Sequence, residues 1–215
     1  EAVRLLPDDP GRTLIKPALR EVRHGCGDVR DTDVLAEALR SLAMPAVLKR
    51  RAVALAARLK EERPRLAAKL QELLEGKAFT TAVGLLLSAA AEHAGYVEKS
   101  LKRREKKRRR QLREALKEAS AEKTPEAIHG ARIAAKKLRY LLELAADAGE
   151  KGAGKEAKAL KRLQKIAGKH HDAHVLMGRL KVSEERDPAA RAWRERHERE
   201  QGRLAAIDWS QLRSE

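Results

Sequence analysis

Two segments of the chain, separated by 141 residues, carry the same pattern. "GDVRDTDVLAEAL" (27–39) and "GKHHDAHVLMGRL" (168–180) share Gly, Asp, Val, Leu and Leu in register. The match continues upstream, where Leu19 corresponds to Leu160 and Arg20 to Lys161. A chain that repeats its own pattern is expected to fold into two related halves.

The shared glycine and the aspartate four residues after it predict a helix end, a short turn and the N-cap of the next helix. Asp31 and Asp172 would be those caps. A helix carrying His129 precedes the second copy, and its counterpart would lie ahead of Glu1. We therefore expect the first half to lack its first helix in this chain.

The amino-acid composition favours helix along the whole chain. Ala, Leu, Glu, Lys and Arg dominate, and no stretch shows the alternation of a strand. Thr124 with Pro125 and Asp187 with Pro188 each predict a helix start, and Gly149 predicts an end. The other expected helices cover about 13–24, 31–42, 45–61, 64–75, 78–119, 155–167 and 172–181. The predicted fold class is all-α.

The charge balance points to an anionic partner. The chain has 48 Lys and Arg against 32 Asp and Glu, which gives a formal net charge of +16. Such an excess favours nucleic acid, phosphate chains or acidic lipid surfaces. Only five residues are aromatic, and proteins that hold single-stranded nucleic acid usually stack bases on aromatic side chains. One cysteine, Cys26, and no visible signal peptide or membrane span make the cytoplasm the expected location.

The most informative stretch is "HGARIAAKKLRYLLEL". At about 100° per residue, His129, Arg132, Lys136 and Arg139 lie within about 80° of one another. No acid joins this basic stripe before Glu143, although stacked cations repel one another. A separate apolar face is formed by Ile128, Ala131, Ala135, Leu138, Leu142 and Ala145. A solvated basic face is the simpler interpretation; an anion-binding face is favoured because basic rows recur in both copies.

The recurring rows have helical spacing. The second copy has Lys158, Lys161, Arg162 and Lys165, and the first copy has Lys16, Arg20 and Arg23. A further run, Lys102 to Arg110, contains eight basic residues and one acid. Leucines on either side predict one long helix, with Arg108 in its apolar row. The run would form a secondary basic wall, with many of its charges simply solvated. The residues assigned to this wall are Lys102, Arg103, Lys106, Arg109 and Arg110.

The histidines in "KHHDAH" suggest a divalent metal site. In the repeat, however, His171 falls opposite Arg30, and a duplicated site would hardly have arginine at a ligand position. We therefore expect no bound metal and no cofactor.

Three motifs resemble the CHAD domain, the conserved histidine α-helical domain. They are "HGARIAAKKLRYLLEL", "GDVRDTDVL" and "LKRLQKIAGKHHDAHVL", and their order and spacing match over about residues 13–181. The resemblance implies two pseudo-symmetric antiparallel helical bundles around a central basic channel or cavity. It makes residues 1–215 a single domain, with halves 1–120 and 121–215.

The resemblance also implies a function, which is non-covalent binding of inorganic polyphosphate, at times in polyphosphate granules. A thin anionic chain without bases needs many N–H donors and no aromatic platform, as found here. The expected binding residues are Lys16, Arg20, Arg23, His129, Arg132, Lys136, Lys137, Arg139, Lys161 and Lys165. The protein would not be an enzyme, and its oligomeric state is open. The alternatives are an RNA- or DNA-binding helical protein and a metal-dependent phosphohydrolase.

Overall fold

The computed structural model of the protein describes residues 2–8, 10–41, 43–182 and 186–205. This part of the chain contains a short 3-10 helix, Ala2–Leu5, and seven α-helices, and it contains no strand. The helices are α1 Pro10–Ser41, α2 Ala46–Glu75, α3 Lys77–Glu92, α4 Ala94–Glu122, α5 Pro125–Asp147, α6 Ala153–Arg179 and α7 Pro188–Ala205. The all-α prediction is confirmed.

The helices belong to two compact units. The first unit is Ala2–Ser100, and the second begins at Leu101, inside α4. In the first unit, α1 packs against α2 and α3, and α2 also contacts α3. In the second unit, α5 and α6 form a helical hairpin through a connection of five residues, and α7 packs against α6.

Each unit has its own apolar core. In the first unit, Leu6 and Ile15, near the start of the chain, are buried together with Ala82 of α3. In the second unit, Ala119, Ile128 and Ala131 pack with Ala167 of α6. Small residues at these positions allow the helix backbones to approach closely, which suits a chain whose core has few aromatic side chains.

The glycines of the repeat do not end helices, and this prediction was wrong. Gly25 and Gly27 lie inside α1, and Gly168 lies inside α6. A glycine commonly ends a helix in the left-handed conformation, and none of these three glycines has a positive φ. A Cβ atom at position 25 would lie 3.2 Å from Leu70 Cδ1 of α2, so Gly25 instead permits close helix packing.

Other predicted boundaries also shifted. The expected break near Pro64 is absent, and α2 continues through this proline. Leu59, before Pro64 in the chain, is buried, and Leu70, after it, packs against Gly25 of α1. The helix expected over 78–119 is two helices, since α3 ends at Glu92 with His93 as its C-cap. The break lies at His93, whose backbone leaves helical geometry with φ −112° and ψ 32°, and the apolar row gives no sign of it.

Two predicted N-caps are confirmed. The Thr124 side chain accepts a hydrogen bond from the Ala127 N–H at 3.2 Å, and Asp187 Oδ1 accepts one from the Ala189 N–H at 2.8 Å. Asp31 and Asp172 are not caps, because both lie in the interior of a continuous helix.

The free energy of unfolding of alanine variants distinguishes a residue that caps a helix from one that does not. We expect Thr124→Ala to lower the free energy of unfolding by about 1 kcal/mol, since it leaves a helix N–H without its partner. We expect Asp31→Ala to change it by less than about 0.5 kcal/mol, because Asp31 is exposed in mid-helix. Urea denaturation followed by circular dichroism measures both, and equal losses would contradict the assignment.

No single described helix is long and apolar enough to cross a bilayer. Helices α2 and α3, which meet at a bend of 51°, have the length and composition of a span only when taken together.

Candidate anion-binding site

The basic stripe of α5 lies beside the apolar face that this helix buries in the core of the second unit. The apolar face predicted for this helix is buried throughout, including Ala135, Leu138 and Leu142. His129, Arg132, Lys136 and Arg139 are each partly buried, so their side chains lie against protein instead of extending fully into water. The two predicted faces of this helix are confirmed.

The stripe faces one row of α6, and we call this contact the α5–α6 seam. The rings of His129 and His171 have centroids 4.3 Å apart. A Cβ atom at Gly168 would lie 3.7 Å from Arg132 Nε, and Gln164 lies next to Arg139. Positions 129, 132 and 139 thus meet 171, 168 and 164 in reverse order, as expected for antiparallel helices.

Two predicted binding residues of α6 lie on this same row. At about 100° per residue, Lys161 and Lys165 fall within about 60° of Gly168. Both lysines are exposed. Cations from two neighbouring helices therefore border the seam, which suits an anion with several negative groups.

Arg139 is held by several contacts. Its Nη1 donates a hydrogen bond to Glu143 Oε1, and its side chain is 15% exposed. With the Gln164 amide oriented by its neighbours, the Gln164 oxygen accepts from Arg139 Nε at 3.1 Å. The guanidinium carbon lies 4.5 Å from the centre of the Tyr140 ring, a cation–π distance. Lys136 Nζ lies 5.8 Å from the same ring centre.

The surroundings of His129 disfavour its protonated form. Burial lowers its pKa below the usual 6.5, and the positive charge of Arg132 lowers the pKa further. Its Nδ1 is buried without a hydrogen-bond partner among the described residues. A phosphate oxygen near this ring would favour the protonated form and so oppose both effects.

The secondary basic wall of α4 is mixed in character. Five of the eight cations between 102 and 110 are exposed, whereas Arg108 is buried and donates to Gln111 Oε1 at 2.6 Å, as its place in the apolar row predicted. Arg109 bonds Glu105 of its own helix, at 2.6 Å, and Glu156 of α6. Both carboxylates raise the pKa of Arg109. Arg110 lies 3.6 Å from Glu114.

A cavity of about 330 Å³ opens beside this wall. Its lining includes two acids. The lining residues are Lys102, Glu105, Lys106, Arg109, Arg113 and Glu150. The ion pair between Arg109 and Glu156 joins α4 to α6. Because Arg109 is paired with carboxylates and two acids line the cavity, the cavity is less cationic than its arginines and lysines alone suggest.

The remaining predicted binding residues are not part of the seam. Lys137 is partly buried on α5, about 100° from Lys136. Lys16, Arg20 and Arg23 are exposed on α1 in the first unit, and Arg23 Nη2 lies 3.0 Å from His24 Nε2. Their part in binding stays a prediction.

The histidine-rich segment lies inside α6. No three His, Cys, Asp or Glu side chains within the described ranges converge as metal ligands would. The side chains of Lys169 and His170 lie outside the described residues. His171, by contrast, is directed to the seam, where it meets His129.

The predicted binding set did not include Glu143, Tyr140, Gln164 and His171, which the structure places on the stripe or on the row of α6 that faces it. A signal existed for Glu143, since an acid four residues after an arginine forms an ion pair on a helix. Gln164 and His171 share a helical row with Lys161 and Gly168, but only the α5–α6 contact reveals which row faces the stripe.

The fold and the seam together define a class, which is an all-helical domain with cations from two antiparallel helices bordering one seam. The chain belongs to the CHAD domain family, whose model matches residues 2–181. This family is associated with polyphosphate binding. No curated protein and no solved structure matches the chain.

Proposed function

We propose that this protein binds inorganic polyphosphate without catalysis and that the α5–α6 seam is a principal binding surface. The observation that carries the proposal is the row of partly buried cations on α5, with exposed lysines of α6 beside it. Helices hold these like charges close together, and a polyanion relieves their repulsion. Membership of a family associated with polyphosphate binding supports the ligand class.

The chemistry of the seam suits phosphate. Arginine places two N–H donors in one plane toward phosphate oxygens, and lysine supplies a mobile point charge. Two tyrosines, two tryptophans and one phenylalanine in the whole chain provide little surface for stacked bases. These features favour a phosphate chain over single-stranded nucleic acid.

The wider proposal has three parts. The two copies of the repeat are related by duplication, their cationic rows enclose a common basic channel, and the protein acts in the cytoplasm, where it joins polyphosphate granules. The repeated pattern at 27–39 and 168–180 supports the duplication, since the first segment lies within α1 and the second forms the C-terminal part of α6 and its C-cap. The chain has no E-x-E-x-K carboxylate pattern of a triphosphate-hydrolysing enzyme, which supports a binding role.

Competition binding tests the ligand. We expect long-chain polyphosphate to displace labelled duplex DNA at equal phosphate concentration and physiological salt, and log K for polyphosphate to fall steeply with log salt concentration. If DNA displaces polyphosphate instead, the protein is a nucleic-acid-binding protein. A shallow salt dependence would contradict a surface of many phosphate contacts. Phosphate release from tripolyphosphate by the purified protein would contradict the absence of catalysis.

The pKa of His129 predicts how stability depends on pH. Because this pKa lies below that of an unfolded histidine, the unfolded state binds a proton first as the pH falls. We expect the free energy of unfolding to decrease as the pH falls below about 7, through the unfolded pKa near 6.5. The decrease should be smaller in His129→Asn, and urea midpoints of both proteins at several pH values measure it.

Bound polyphosphate should act in the opposite direction. Phosphate stabilises the His129 imidazolium, so affinity should increase over the same fall in pH, and it should increase less in His129→Asn. If both proteins respond equally to pH in stability and in affinity, His129 is not the group responsible.

A further inference from the structure

Glu143 lies within the cationic stripe. On a helix with about 100° per residue, it falls between the directions of Lys136 and Arg139, in the middle of the arc. A carboxylate at this position lowers the attraction of the stripe for any anion. Its presence therefore needs a reason beyond general solubility.

The contacts of Glu143 and Arg139 differ in kind. Arg139 is held by Glu143 at Nη1, by Gln164 at Nε and by the Tyr140 ring on one face. Glu143 is 44% exposed, whereas Arg139 is 15% exposed. The carboxylate can thus leave into water while the guanidinium stays in place on Gln164 and Tyr140.

We propose that Glu143 is an internal competitor for the Arg139 guanidinium, and this rests on the proposed function of the seam. In the free protein the carboxylate occupies the position of a phosphate oxygen at Nη1. A phosphate chain replaces it, Glu143 turns to solvent, and Arg139 exchanges one anionic partner for another.

This exchange affects which anions bind well. A single phosphate that replaces Glu143 forms one ion pair with Arg139 and breaks another, so its net gain in free energy is small. A longer chain makes the same exchange at Arg139 and in addition reaches Lys136 and Lys161. The attraction of these two lysines is added to its binding free energy. Glu143 therefore makes the seam selective for anions with several phosphate groups.

Glu143→Gln tests the competition. Glutamine keeps the size of the side chain and removes its charge, so we expect the Kd for long-chain polyphosphate to fall about threefold or more. The matched control is Glu126→Gln, which makes the same charge change on an exposed position of α5 away from the stripe. The control should change the Kd by less than about 1.5-fold.

A double-mutant cycle with Arg139→Ala separates competition from the general field of the charge. If Glu143 acts through Arg139, Glu143→Gln will tighten binding in the wild-type background and leave it unchanged in the Arg139→Ala background. Equal tightening in both backgrounds, or none in the wild type, would overturn the inference. Circular dichroism checks the fold of each variant, and Glu143→Ala replaces the glutamine variant should that one lose helicity.

The outcomes also distinguish this inference from the proposed function. If Arg132→Ala weakens polyphosphate binding but Glu143→Gln leaves it unchanged, the seam binds polyphosphate and Glu143 is not a competitor. If the wild-type protein does not bind polyphosphate, both are overturned.

Discussion

Replacing Arg132, Lys136 and Arg139 together with alanine is expected to weaken polyphosphate binding at least about tenfold. Each side chain lies on the stripe that faces α6, and each supplies a positive charge and N–H donors to phosphate oxygens. A tenfold change corresponds to about 1.4 kcal/mol, which is less than three charge-assisted hydrogen bonds would contribute together. The salt dependence of log K should also become shallower, by roughly 0.7 for each phosphate that the variant no longer neutralises.

Titration with labelled long-chain polyphosphate measures this loss of affinity, and circular dichroism checks that the helices remain. A matched control replaces Arg50, Arg58 and Arg65 of α2 with alanine, because these arginines are exposed and the change in net charge is the same. We expect the affinity of the control to fall by less than about threefold, through the general field alone. Equal losses would mean that net charge, and not the seam, determines binding.

A comparison with the α4 wall refines the assignment. Reversing the charge of three exposed residues there, Lys102, Arg103 and Lys106, should weaken binding less than the stripe variant does, although it changes the net charge more. A larger loss from the α4 variant would move the principal site from the seam to that wall.

Replacing Leu138 with alanine is expected to lower the free energy of unfolding of the second unit by about 2–5 kcal/mol. Leu138 is 1% exposed and lies on the apolar face of α5, so the substitution removes buried methyl groups and leaves a cavity. Leu144→Ala is the control on the same helix. Because Leu144 is 36% exposed, we expect its replacement to lower the free energy of unfolding by less than about 1 kcal/mol.

Urea denaturation followed by tryptophan fluorescence measures this effect. Both tryptophans, Trp193 and Trp209, come after Leu101 in the chain, and Trp193 is buried, so the signal reports on the second unit. Similar losses from Leu138→Ala and Leu144→Ala would contradict the burial of this face. If Leu138→Ala also weakens polyphosphate binding, the core of the helical hairpin supports the geometry of the seam.

Helix α5 shows where local signals suffice. Thr124 caps it, Pro125 occupies its first turn, and the positive φ of Gly149 follows its end, so both boundaries were predictable. Its basic and apolar faces were also predictable, because helical periodicity depends on spacing alone.

The repeat shows where local signals fail. Gly27 and Asp31 have the types and the spacing of a helix end and a cap, as do Gly168 and Asp172, yet each pair lies inside one helix. A glycine or an aspartate permits a helix end but does not require one. Packing along both sides of the position stabilises the continuous helix, and one sequence segment contains no information about that packing.

The amino-acid sequence by itself determined the helical class, the excess of positive charge, the two faces of α5 and the family to which the chain belongs. These properties follow from residue types and from spacings within single helices. The tertiary structure decided that α6 presents Gln164, Gly168 and His171 to the stripe, and that Arg139 is held by Glu143 and Gln164. The physical reason is that such contacts depend on the rotation and register of one packed helix against another. Rotation and register are set by the packing of side chains that are distant in sequence.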